Sequence, residues 1–208
     1  MLSAIELDAF AATFGVLGRL HIQPADSSTR DAVLSLIDEW PLLPAESEYT
    51  SRGCELLKES LKRKETDAAI RTDQDTLYGI SARAKVPPFE SVHRGDDRLV
   101  FDKQTLEVRS EYSKLSLRAP NYNAEPDDHI GLELDFLAQC CLITVDGEER
   151  AYELAVSFTN DHINQWAPHM LREAYSYAET AWLKGILALT LGAIETWSEK
   201  LQAGGANA

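Results

Sequence analysis

The residues best able to do chemistry in this chain come in a few short groupings. Glu90-Ser91-Val92-His93 is an E-x-x-H, and His129 and Glu133 stand four apart, which brings two side chains to one face of a helix. Metal sites use both spacings. A di-iron bundle site, however, needs two E-x-x-H helices and two further glutamates, whereas the single copy here follows Pro87-Pro88 on a segment expected to be extended. Cys54 and the adjacent Cys140 and Cys141 lack the paired short spacings of a zinc site. Neighbours on a helix diverge by about 100°, so these thiols read as small core residues. Asp128-His129 and Asp161-His162 repeat one dipeptide. On spacing alone, His162 on its apolar stripe reads first as a hydrogen-bonded core histidine, and Asp128 as an acid at a helix start. No Gly-rich phosphate cradle and no G-x-S-x-G elbow occurs, so the motifs supply no catalytic centre.

Helices must position these groups. Ser3 and Glu6 have capping-box spacing, and Leu7, Phe10, Phe14 and Leu17 then recur at three and four residues until Pro24. Ser28 with Asp31 suggests a second start, its stripe Val33, Leu36, Ile37 and Trp40 ending at Pro41. Cys54, Leu57 and Leu61 mark a charged third helix with Glu59 and Arg63 placed to pair. The signal weakens from Thr66 to Ile80, and Ile80 to Leu99 reads as the one long irregular stretch. Phe101, Val108, Tyr112 and Leu115 resume helical spacing before a second loop near Pro120.

Pro126, Asp127 and Asp128 suit the first turn of a helix that buries Ile130, Leu134, Leu137 and Cys141 and stops at Gly147. Ala151, Leu154, Ala155, Phe158 and His162 share one face of the next, and the segment around Trp182 to Ile194 is apolar around most of its circumference. That last helix should be central and buried. With no alternating run between hairpin turns and no repeat, the expectation is an all-α helical bundle of about eight or nine helices. A single domain over residues 1–208 is expected, with order lost from about 203.

Composition narrows the partners. The chain has 208 residues, 44% of them apolar, and 34 acidic against 20 basic side chains, a net charge of −14. Its average surface repels nucleic acid and anionic membrane. The three cysteines form no disulfide framework, which suits a reducing cytosol. The first residues carry acids and lack the basic region of an export signal, and the apolar stretch Ala181 to Ile194 falls short of the ~20 residues a membrane span requires. A cytoplasmic chain without stable membrane insertion is expected.

Taken together, three segments resemble the TorD/DmsD/NarJ family of cytoplasmic molybdoenzyme maturation chaperones. They are Pro87-Pro88-Phe89-Glu90-Ser91-Val92, the run from Glu125-Pro126-Asp127-Asp128-His129 through Glu133-Leu134-Asp135-Phe136-Leu137, and His162-Ile163-Asn164-Gln165-Trp166. The middle block is the specific part, and the resemblance spans roughly Tyr78 to Trp197. It implies a TorD-like all-helical fold, no catalysis, and binding of the twin-arginine signal peptide of a molybdopterin-dependent oxidoreductase of the dimethyl-sulfoxide-reductase superfamily. The resemblance further implies that export is delayed, and that the apo-enzyme is held while the cofactor is inserted, as some members of the family do. The chain itself would hold no cofactor, since the client carries the molybdopterin. Weak guanine-nucleotide binding is associated with relatives, but no phosphate motif here supports it.

Carried over by motif, the signal-peptide residues are Asp128, His129, Glu125 and Pro126, with Phe89, Glu90, Ser91 and Val92 lining the same pocket and His162 and Trp166 forming its other wall. Glu90, Glu125, Asp127 and Asp128 would accept the peptide's arginines, while Phe89, Tyr78, Trp166 and Pro126 would supply an apolar groove. Phe89 and His93 stand where relatives often carry larger aromatics, and His93 reads as an exposed loop histidine. The partner is then the precursor of a molybdenum oxidoreductase catalytic subunit, bound by a monomer or a helix-swapped dimer. A nucleotide-dependent assembly factor, or an acidic helical scaffold for another basic partner, are the alternatives.

Overall fold

The computed structural model describes residues 1–41, 47–79, 84–121 and 123–205. Helix α1 (Ala4–Ile22) starts in the expected capping box, in which Ser3 Oγ accepts the Glu6 amide and the Glu6 carboxylate accepts the Ser3 amide. Its buried stripe of Leu7, Phe10, Phe14 and Leu17 lies along α7 (Ile130–Val145). The two backbones meet where Gly18 faces Gly131. A Cβ on Gly18 would stand 2.6 Å from the Gly131 carbonyl oxygen, and one on Gly131 would stand 2.5 Å from that of Gly18, so only glycine permits this crossing. The contact fixes the start of α7, where the Asp128-His129 motif lies.

Helix α10 (Ala181–Gly205) occupies the centre, with Trp182, Leu183, Ile186, Leu187, Leu189, Ile194 and Trp197 all buried. Helix α3 (Glu48–Arg63) packs along it and carries the expected Glu59–Arg63 pair. Trp197 sits edge-on to Phe10 and Phe14, with ring centroids 4.9 and 5.7 Å away. Its Nε1 donates to Thr159 Oγ1 at 2.8 Å. Thr159 opens a π-helical turn, Thr159–Ile163, that joins α8 (Glu149–Phe158) to α9 (Asn164–Tyr177) and presents His162. Buried apolar side chains from α1, α3, α7, α8, α9 and α10 merge into one continuous core.

The weak stretch after Thr66 is helix α4 (Asp67–Tyr78), capped by Thr66. Its polar residues are occupied in closing other helices, which is why it shows little apolar stripe. Gln74 Nε2 donates to the Leu20 and His21 carbonyls at the end of α1, and Asp73 accepts the Glu179 and Thr180 amides ahead of α10. Glu65 accepts the Ala181 and Trp182 amides at 2.7 and 3.0 Å.

Other boundaries differ from expectation. The second helix, α2 (Ser27–Ser35), is capped by Asp26 rather than Ser28, and it buries no side chain. It stops before Leu36, which points into solvent, and the short 3₁₀ turn Ile37–Glu39 carries Ile37 to the core instead. Helix α6 (Lys103–Lys114) starts from Asp102, leaving Phe101 outside it at φ 62°. Within the expected irregular stretch a single helical turn forms, α5 (Glu90–Arg94), so the E-x-x-H is helical rather than extended. Residues 80–83 of that stretch lie outside the described residues. Helix α10 runs to Gly205, and residues 206–208 lie outside the described residues.

The all-α expectation holds among the described residues, with nine helices of nine residues or more plus the single turn α5. The only extended pairing there is an isolated bridge between Phe89 and His129.

Candidate functional site

That bridge assembles the site. Pro87-Pro88 keeps the chain extended, so the Pro88 carbonyl accepts the Ile130 amide at 2.9 Å and the Glu90 amide donates to the Asp128 carbonyl at 3.0 Å. Phe89 and His129 meet edge to face, 5.3 Å between ring centroids. Pro126, Asp127 and Asp128 precede α7 rather than forming its first turn, because the Asp128 and Asp127 carboxylates are bound elsewhere and His129 is the N-cap. His129 Nδ1 accepts the Gly131 amide at 3.0 Å. Burial pushes its imidazole down to about 4, which keeps that nitrogen an acceptor at neutral pH.

Asp128 is fully buried and caps α5 from a distant part of the chain. Its Oδ2 accepts the Ser91 amide at 2.7 Å, and its Oδ1 accepts the Thr105 hydroxyl of α6 at 2.6 Å. Glu90, also fully buried, bonds His162 Nδ1 at 2.8 Å and pairs with Arg94 one turn on. Arg94 also donates to the Asp161 carbonyl at 2.8 Å, tying α5 to the π turn. His162 stacks on Phe158 and is satisfied by Glu90, as the core reading of that residue expects.

A second buried acid lies beside the first. Glu133 Oε2 accepts Trp166 Nε1 at 3.1 Å, while its Oε1 accepts from no group. Burial, together with the charges of Glu90 and Asp128, raises the Glu133 carboxyl well above the ordinary carboxylate range. The same surroundings favour the protonated form of Glu133 over the ionised one. His93 is partly buried, not an exposed loop residue. Its Nε2 bonds the Pro87 carbonyl at 2.7 Å and its ring stacks on Trp166 at 5.4 Å; burial lowers its pKa.

Asp127 faces the other side of the bridge. Arg109 of α6 grips it with two parallel bonds, Nε to Oδ2 at 2.7 Å and Nη2 to Oδ1 at 3.2 Å, and also reaches Asn123. The Tyr112 hydroxyl donates to the Asp127 carbonyl. A groove of about 370 Å³ runs past this pair, lined also by Ser113, Leu117 and Arg118.

The structure thus brings together Phe89, Glu90, Ser91, Val92, Asp128, His129, His162 and Trp166. Glu125 stands exposed at the edge, accepting from Asn121 Nδ2. Tyr78 stands apart, its hydroxyl bonded to His21 Nδ1 at 3.0 Å while His21 Nε2 bonds Thr190. As an open apolar groove the expected quartet is not present: Tyr78, Trp166 and Pro126 are buried and only Phe89 is partly exposed. Of the four expected carboxylates, Glu90, Asp127 and Asp128 are buried and already bonded within the chain. Sequence reasoning missed Arg94, Thr105 and Arg109. The four-residue interval from Glu90 to Arg94 was a usable signal; the other two act from α6 with no local pattern.

Among the described residues no group of three or more His, Cys, Asp or Glu could hold a metal ion. Within the E-x-x-H, Glu90 turns to His162 and His93 to Trp166. The three cysteines are buried and unbridged, and burial raises all three thiols. No described helix is long and apolar enough to cross a membrane.

A helical bundle that closes three separate motif segments on one buried acid cluster defines the class. The chain belongs to the nitrate reductase delta subunit family, which it matches over residues 43–172. It is 24% identical over 115 residues to a probable Tat proofreading chaperone DmsD of Haemophilus influenzae, an alignment covering 55% of this chain and 53% of that protein. It is 28% identical over 140 residues to a chaperone protein TorD of Vibrio cholerae, covering 65% and 62%. A TorD of Vibrio parahaemolyticus aligns at 23% over 193 residues, 90% of this chain and 78% of that one. The chain thus spans little more than half the length of the first two relatives. A crystal structure of a putative redox enzyme maturation protein from Archaeoglobus fulgidus shares the fold, with a TM-score of 0.55 and 20% identity over 96% of this chain and 95% of that one. The TorD/DmsD/NarJ resemblance is therefore real at family level, and these relatives are chaperones, not enzymes.

Proposed function

We propose that this chain is a cytoplasmic maturation chaperone that binds the twin-arginine signal peptide of a molybdopterin-dependent oxidoreductase, and with it the apo-enzyme, delaying export until the cofactor is inserted. Its work is recognition and release, with no bond broken and no cofactor of its own. The observation that carries this reading is convergence: segments 87–92, 125–137 and 162–166, distant in sequence, meet around Glu90 and Asp128. A receptor for an arginine pair followed by an apolar run needs carboxylates adjoining apolar surface. Glu90 and Asp127 put two carboxylates at this meeting point, and Glu125 adds an exposed acid.

Co-expression tests it. The tagged chain is produced with the precursor of a molybdopterin-dependent reductase from the same genome, with and without its Arg-Arg leader. The precursor is expected to co-purify only with its leader. Failure of both forms to co-purify, with the chain folded, contradicts the proposal.

A further inference from the structure

Two of the buried carboxylates at the site already hold a guanidinium each, and each guanidinium arrives from the surface. Arg94 is 30% exposed while its acceptor Glu90 is 0%, and Arg109 is 22% exposed while Asp127 is 1%. Asp128 differs, since both of its oxygens are committed to the Ser91 amide and the Thr105 hydroxyl. Each arginine pair also adjoins room or unmet polarity. The groove of about 370 Å³ lies against Arg109 and Asp127, and Ser91 Oγ, next to Glu90 and fully buried, has no hydrogen-bond partner.

We propose that Glu90 and Asp127 are the two guanidinium acceptors for a client's arginine pair, and that Arg94 and Arg109 occupy them until that pair arrives. This rests on the function proposed above. Exchange of arginine for arginine keeps each buried carboxylate paired, so it avoids the uncompensated buried charge that makes breaking such pairs costly. The displaced arginines lie at the surface and re-enter water. At Asp127 the grip is a two-bond fork, which an arginine reproduces and the compact ammonium of lysine does not. The arrangement therefore selects a twin-arginine over a twin-lysine leader, and it shields the acids from isolated cations while no client is bound.

The test is fluorescence anisotropy with a labelled synthetic peptide carrying Arg-Arg followed by an apolar helix-forming run, against a Lys-Lys version. Wild type is compared with R94Q, R109Q and the double variant, with circular dichroism confirming the fold. Each single variant is expected to bind the Arg-Arg peptide about three- to tenfold tighter and the double variant tighter still, with little gain for Lys-Lys. Should R109Q not fold, R109K keeps the charge without the fork and is expected to give a smaller gain. Unchanged or weaker binding by folded variants, while wild type binds, overturns the exchange and leaves the chaperone reading standing. Binding by none of the proteins overturns that reading and the exchange with it.

Discussion

The Asp128 carboxylate caps the helical turn α5 from far along the chain, its Oδ2 accepting the amide of Ser91, 37 residues earlier, at 2.7 Å. Through that bond the loop ahead of α7 and the turn α5 become one unit, and Thr105 joins α6 to it. Replacing Asp128 with Ala leaves two buried donors unpaired, at about 1–3 kcal/mol each. Urea unfolding of D128A is expected to show about 2–4 kcal/mol less stability, whereas D128N, which keeps one good acceptor, loses less. Equal stability of D128A and wild type would mean the cap is dispensable.

Glu133 gives a sharper test of protonation. Its surroundings favour the neutral carboxyl, which is nearly isosteric and isoelectronic with glutamine, so E133Q is expected to cost less than about 1 kcal/mol, while E133A loses the Trp166 acceptor and opens a void, at about 2–4 kcal/mol. Denaturant midpoints of the two variants decide it. A loss from E133Q as large as that from E133A would show an ionised Glu133.

Acid should weaken the fold through His21. Fully buried and bonded to Tyr78 and Thr190, its imidazole is pushed down to about 3 from an ordinary 6.5, chiefly by burial. Between those values the unfolded chain binds a proton that the folded chain refuses. The neutral ring's contribution is therefore complete above pH 6.5 and declines as pH falls toward 3, by up to about 1.4 kcal/mol per pH unit. Unfolding free energies at pH 7, 6 and 5 are expected to fall less steeply in H21Q, by about one proton's worth of slope. Parallel profiles would mean that His21 does not set the acid sensitivity.

The Gly18–Gly131 contact predicts the cost of a single methyl group. G131A places Cβ 2.5 Å from the Gly18 carbonyl oxygen, forcing α1 and α7 apart. A loss of about 1–3 kcal/mol is expected by thermal or urea unfolding. An unchanged midpoint would show that the crossing can open freely.

Much of this was legible in the sequence because it is local. The capping box at Ser3, the stripe of α7, the all-round apolar α10 and the Glu59–Arg63 pair depend on residues within a few positions of one another. The motif segments around Glu90, Asp128 and His162 were visible, and they do meet. What stayed hidden is non-local. Nothing in the stretch after Thr66 reveals that Gln74 and Asp73 close α1 and α10, so a real helix read as a weak one. Asp127 and Asp128 looked like acids of a first helical turn because their true partners, Arg109, Ser91 and Thr105, lie 18 to 37 residues away. Burial reversed the expected roles as well: acids taken for open acceptors prove to be bonded within the chain, and His93 proves to be stacked on Trp166.

Whether this acid cluster receives an arginine-bearing leader is decided by calorimetric titration of the wild-type chain with the Arg-Arg peptide. Saturable binding that weakens as salt rises and falls at least tenfold for the Lys-Lys peptide is the predicted result. Heats indistinguishable from dilution, or equal affinity for the two peptides at every salt concentration, would contradict it.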